Sequence, residues 1–208
     1  GLRRAAIGVV QPLTEHGISF DLREAVGKAA SLQPIEVKEE VQAQILDFIT
    51  GRLSVVLKDA GYKYDVVDAV LAEQSDNPAR AADAVKQLQL WVEREDWQTI
   101  LPGYARCVRI IRSAQLGDRP LTIDDKKFAE QAERDLYKAI QSSVVRPLSS
   151  VDEFLNIVVK LIPSINAFFD KVLVMAEDQA VKENRLGLLQ RIASLANGVA
   201  DLSKLEGF

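Results

Sequence analysis

Three carboxylates, Asp170, Glu177 and Asp178, stand in the apolar stretch Ile165 to Asp178, which reads INAFFDKVLVMAED. Acids set among hydrophobic side chains are the raw material of acid–base pairs and metal sites, so their spacing matters. On a helix turning about 100° per residue, Ile165, Phe168, Phe169, Val172, Met175 and Ala176 share one broad face. Asp170 and Glu177 fall opposite, flanked by Lys171 and Asp178. Their separation along the axis is then roughly 10 Å, too far to share one ion whose ligands sit at about 2–2.6 Å. A glycosidase-type pair would need a second carboxylate from another element. The expectation is a solvated face or a structural ion pair, with Arg185 of the next helix as partner.

Other chemistry is sparse. His16, in TEHGIS, is the sole histidine, so no histidine pair can be built within this chain. Cys107 falls on the apolar side of its helix with no histidine nearby in sequence, which predicts a buried, inert thiol. The phosphate loop G-x-x-x-x-G-K-[ST], the dinucleotide fingerprint G-x-G-x-x-G and C-x-x-C are all missing from the sequence. No catalytic, cofactor-binding or metal-binding residue is assigned, and a binding module outranks an enzyme.

One segment differs from the rest. Gln98 to Gly117, QTILPGYARCVRIIRSAQLG, holds no acid in a chain that has 30. Arg106, Arg109 and Arg112 step by three and cover about a third of a helix circumference. Tyr104, Cys107, Val108 and Ile111 occupy the opposing arc and are expected to pack inward. An arginine row on a rigid helix suits phosphate oxygens or base edges. Its rival is neutralisation by neighbouring acids, such as those in EREDW.

The elements that position these residues are helical almost throughout. Val37, Val41, Ile45, Phe48, Ile49, Leu53 and Val56 recur at spacings of three and four, and Gly61 then stops the helix. Pro78 suits a first helical position. Thr122 or Asp124 is the candidate cap of a helix whose stripe is Phe128, Ala132, Leu136 and Ile140. A last helix runs to Asn197 and Gly198, and the longest break falls around Gly117 to Thr122. The fold class is therefore all-α, a single bundle of about eight to ten helices counted as one domain over 1–208. The 208 residues, 48% hydrophobic and 27% charged, are enough to bury a core. A net charge of −4 argues against indiscriminate nucleic-acid binding but leaves room for a local basic patch. One cysteine rules out an internal disulfide and fits a reducing cytosol. No apolar run approaches the ~20 residues of a membrane span. The opening GLRRAAIGVV lacks an initiator methionine and is already amphipathic, as in a fragment of a longer chain.

Several stretches resemble the bacterial glycyl-tRNA synthetase beta subunit. They are PSINAFFDKVLVMAEDQAVKENRLGLLQRIASL with the following VADLSKL, YKYDVVDAVLA, FITGRL, and the opening GLRRAA, similar to an arginine-rich DALR-type helix start. The resemblance runs in order over essentially the whole chain. It implies a helical DALR-type anticodon-binding domain, a non-catalytic part of a cytoplasmic glycine–tRNA ligase. It also implies that aminoacylation, with its ATP and magnesium, lies on the alpha subunit or an alpha-like segment of a fused chain. The implied partners are the anticodon stem-loop of glycine tRNA, the alpha subunit or segment and the rest of the beta subunit, with no membrane. The alternative is a scaffold that holds synthetase subunits together without touching RNA. One departure stands out: a family pattern near K-R-V-x-N-I is read here as RCVRII, with Cys107 at the arginine and Ile110 at the asparagine position. The candidate tRNA-binding residues are Arg106, Arg109 and Arg112, then Arg52 and Tyr64. Tyr62, Trp91 and Trp97 are further stacking candidates, although tryptophan belongs more often to a core.

Overall fold

A computed structural model describes residues 1–116, 119–143 and 148–208. Among them are nine α-helices, short 3-10 turns and no strand, in keeping with the all-α expectation. They gather into two compact units, Gly1–Val92 with Gly198–Glu206, and Glu93–Asn197 with Gly207–Phe208.

The first unit holds α1 (Leu2–Glu15), α2 (Leu22–Ser31), α3 (Glu39–Asp59), α4 (Tyr64–Gln74) and α5 (Pro78–Val92). Asp21 caps α2 by accepting from the Glu24 amide. Gly61, at φ +98, makes the left-handed turn that ends α3, and α5 begins at Pro78 as read from the sequence. Val66, Val67, Val70, Val85 and Leu88 are fully buried and form the core. Trp91 is buried with them. The stripe on α3 differs from expectation: Leu53 is buried, but Val41, Ile45 and Phe48 are 40–43% exposed. Helix α3 packs on α1, α2 and α4, and its periodic apolar face is wider than the part these cover.

Residues beyond α9 return to complete this unit. The Asp201 amide donates to the Ala69 carbonyl at 2.8 Å, and the Gly198 amide to Glu73 Oε2 at 2.8 Å. Gln74 Nε2 donates to the Val199 carbonyl, and the Glu206 amide to buried Asp65.

The second unit holds α6 (Trp97–Ser113), α7 (Gln131–Ser143), α8 (Val151–Lys171) and α9 (Gln179–Ala193). Phe154, Phe168, Leu155, Leu161 and Ile165 of α8 form its centre with Leu136 and Ile140 of α7 and Leu188 and Leu189 of α9. Helix α6 packs on α8 and α9. Gly103 permits the close approach of α8, because a Cβ there would lie 2.5 Å from Ile162 Cδ1. Trp97 is core, so neither tryptophan is a stacking platform.

Two helix limits differ from the sequence reading. Phe128, Ala132, Leu136 and Ile140 are all buried as expected, but α7 starts only at Gln131. Asp124 instead caps a 3-10 turn, Asp125–Lys127, after which Phe128 is extended. The expected break at Gly117 to Thr122 falls partly on residues 117 and 118, outside those described; 119–124 is non-helical. More consequentially, α8 ends at Lys171, so Ile165 to Asp178 is not one helix.

Candidate nucleic-acid interface

Helix α6 carries its three arginines outward. Arg106, Arg109 and Arg112 are exposed on one arc, while Tyr104, Ala105 and Cys107 are buried on the other. Val108 and Ile111 are half-buried rather than core. The Tyr104 hydroxyl donates to the Ala193 carbonyl at 2.8 Å and its ring meets Phe154 edge-on, so the inward arc is tied to both α8 and α9. Cys107 is fully buried, and desolvation pushes its thiol up to about 12. It is inert packing, as its arc implied.

Of the acids of EREDW, Asp96 is turned to Arg94. It accepts from that guanidinium at 2.7 and 2.8 Å, and the hydrogen bond holds its carboxyl below the usual range. Among the described residues, Arg106 and Arg109 make no ion pair; each meets an aromatic ring instead. The guanidinium carbon of Arg106 lies 4.0 Å from the centroid of Phe169, and those of Arg109 and Arg112 lie 5.6 and 5.8 Å from that of Phe208. Sequence reasoning missed both phenylalanines as parts of this surface, since neither is near α6 in sequence.

The other candidates do not join this cluster. Arg52 is on α3 and Tyr64 opens α4, both in the first unit. Arg52 is half-buried over Phe48, with a buried Nε that has no hydrogen-bond partner. Tyr64 is 57% exposed, but its hydroxyl already donates to Glu206, a bond that raises the phenol pKa. Tyr62 is half-buried.

Asp170, Glu177 and Asp178 do not share one helix. Asp170 and Glu177 are exposed, and Asp178 caps α9 by accepting from the Val181 amide at 2.9 Å. Arg185 is not their partner. It is buried, donating from Nε to buried Glu133 at 2.9 Å and from Nη1 to the Leu173 carbonyl at 2.9 Å. Among the described residues no cluster of histidine, cysteine and acidic side chains could hold a metal. None of their helices is long and apolar enough to cross a membrane.

Residues 1–72 match the family model of the glycyl-tRNA synthetase beta subunit, and residues 100–202 that of the DALR anticodon binding domain. The second match contains the arginine row. A glycine–tRNA ligase of chloroplasts and mitochondria from Arabidopsis thaliana is 35% identical over all of this chain and 20% of its own length. Glycine–tRNA ligase beta subunits from Vibrio atlanticus and Rhodospirillum centenum are 33% and 34% identical over 99% of it and 30% of theirs. Over its whole length the chain is similar to the glycyl-tRNA synthetase beta subunits. It spans under a third of the length of these relatives, and the same segment occurs in relatives of unlike length. The beta-subunit resemblance therefore holds from end to end, through α6 as well as the flanking helices.

Proposed function

We propose that this chain is the tRNA-binding part of a glycine–tRNA ligase. It holds the anticodon region of glycine tRNA while a catalytic site elsewhere, using ATP and magnesium, joins glycine to the tRNA. The observation that carries the reading is the outward arginine row, with Arg106 and Arg109 outside any ion pair among the described residues, inside the segment that matches the DALR anticodon binding domain. Charged, donor-rich guanidinium groups on a helix whose opposite arc is buried suit phosphate oxygens, and on an acidic chain they concentrate positive potential locally. Bases splayed out of an anticodon loop offer faces and edges to the same groups.

Titration of the chain with fluorescent glycine tRNA across salt concentrations tests this. Each Arg→Gln change in the row weakens binding and lowers the log–log salt slope by about 0.7 per lost phosphate contact on single-stranded RNA. A triple variant with unchanged circular dichroism and wild-type affinity and slope refutes the assignment. Loss confined to glycine tRNA identifies a base contact, and loss shared by all tRNAs a phosphate contact.

A second reading, a scaffold for the alpha subunit or the rest of the beta subunit, is favoured by one observation, the exposed Val41, Ile45 and Phe48 on α3. The two readings use different units and do not compete for residues. Replacing these three with serine should weaken copurification with the catalytic subunit and leave the tRNA titration unchanged.

A further inference from the structure

We infer that Phe169 and Phe208 are positioning residues for Arg106 and Arg109, holding these two guanidinium groups of the row in place without spending their charge or hydrogen-bond donors. The inference rests on the tRNA-binding reading above and names how that site is made rigid. An arginine on a helix surface can be fixed in two ways. A carboxylate partner fixes it by consuming N–H donors and cancelling the charge, as Asp96 does to Arg94. An aromatic face attracts the cation through the ring quadrupole and takes no donor in the guanidinium plane.

Helix α6 uses the second way. Arg106 lies over Phe169, at the C-terminal end of α8, at 4.0 Å. Phe169 is itself braced edge-on by fully buried Phe168, at 5.5 Å between centroids. Phe208 serves two arginines at once, at 5.6 and 5.8 Å, and follows Gly207, whose φ of +85 is a turn suited to glycine. The three arginines remain exposed, and no ion pair among the described residues involves Arg106 or Arg109. Arg106 and Arg109 thus keep their charge and give up side-chain freedom before any ligand arrives, which lowers the ordering cost of binding an anionic backbone.

The experiment compares F169L, F208A and their combination with the Arg→Gln variants in the glycine tRNA titration. Leucine keeps the apolar volume of half-buried Phe169. Loss of each ring should weaken binding roughly two- to fivefold, the span of an exposed cation–π contact. The salt slope should stay at the wild-type value, because no cation has been removed. A double variant that binds like wild type, or whose slope falls as in the arginine variants, overturns the inference. A readout without RNA checks the contact itself: the Arg106 side-chain protons should be shifted upfield by the Phe169 ring, and F169L should abolish the shift. Absence of the shift in the wild-type chain also overturns it. If the triple arginine variant binds normally, the tRNA reading itself has failed. If that variant weakens while the ring variants do not, only the positioning role falls.

Discussion

Cys107 and Arg106 are neighbours in sequence and have opposite fates, because successive helical residues point about 100° apart. The thiol is sealed in the core, its pKa pushed by burial from an ordinary 9.0 to about 12. Native protein at pH 8 should therefore resist a chromogenic disulfide reagent that titrates one thiol at once in denaturant; fast native reaction would show that Cys107 is reachable. The sign of the linkage follows: an unfolded thiol ionises first, so this contribution to stability is intact below about 9 and drains away as pH rises towards about 12. Asp170 and Glu177 illustrate the solvent side. Their joint replacement by asparagine and glutamine should shift stability by no more than about 0.5 kcal/mol and leave tRNA affinity unchanged; a tenfold loss of affinity would put RNA on their face. The orientations of Cys107 and Asp170 were legible from periodicity alone, whereas Glu177 lies beyond the end of α8. That of Arg185 was not legible, since its buried partner Glu133 sits on a helix that the local sequence cannot connect with it.

Helices were legible as helices, and their ends much less so. The stretch Val172 to Met175 reads as continued apolar helix, yet Val172 and Val174 are buried while Leu173 and Met175 are exposed. That alternation belongs to extended chain, and over four residues an apolar run supports either period. The decision is tertiary: Arg185 donates to the Leu173 carbonyl, and Glu133 accepts from Arg185 as well as from the Ala129 and Glu130 amides. One buried pair thus fixes the start of α7 and the exit of α8. Removing its acid with E133A leaves a buried cation and several donors unmatched, and should cost about 3–5 kcal/mol in chemical denaturation. A loss below about 1 kcal/mol would mean that water replaces the carboxylate. Asp178→Ala removes only a cap, for about 1 kcal/mol. The exposed part of α3 was illegible for another reason, because periodicity tells which face is apolar and not whether anything covers it.

At the scale of the molecule, two compact units share one interleaved chain. The first is completed by Gly198–Glu206, so unfolding the second turns the segment between Val92 and Gly198 into a loop of about a hundred residues. Closing such a loop costs roughly 4 kcal/mol, which couples the units through chain entropy. We predict one calorimetric transition for residues 1–208, with van't Hoff and calorimetric enthalpies in agreement; two resolved peaks would count the units as separate domains. A variant ending at Asn197 should lose amide protection along α4, where Ala69, Glu73 and Asp65 would be left without their bonds to the returning segment. Unchanged exchange there would make that segment an ornament.

The return of Gly198–Glu206 also has a meaning in time. A ribosome releases residues 1–92 before residues 93–208, and they wait through the synthesis of α6 to α9 before the last contacts of α4 exist. The nascent first unit must spend that interval with Asp65 and Glu73 lacking the amides of Glu206 and Gly198, while the unit translated later can gather its four helices ahead of it.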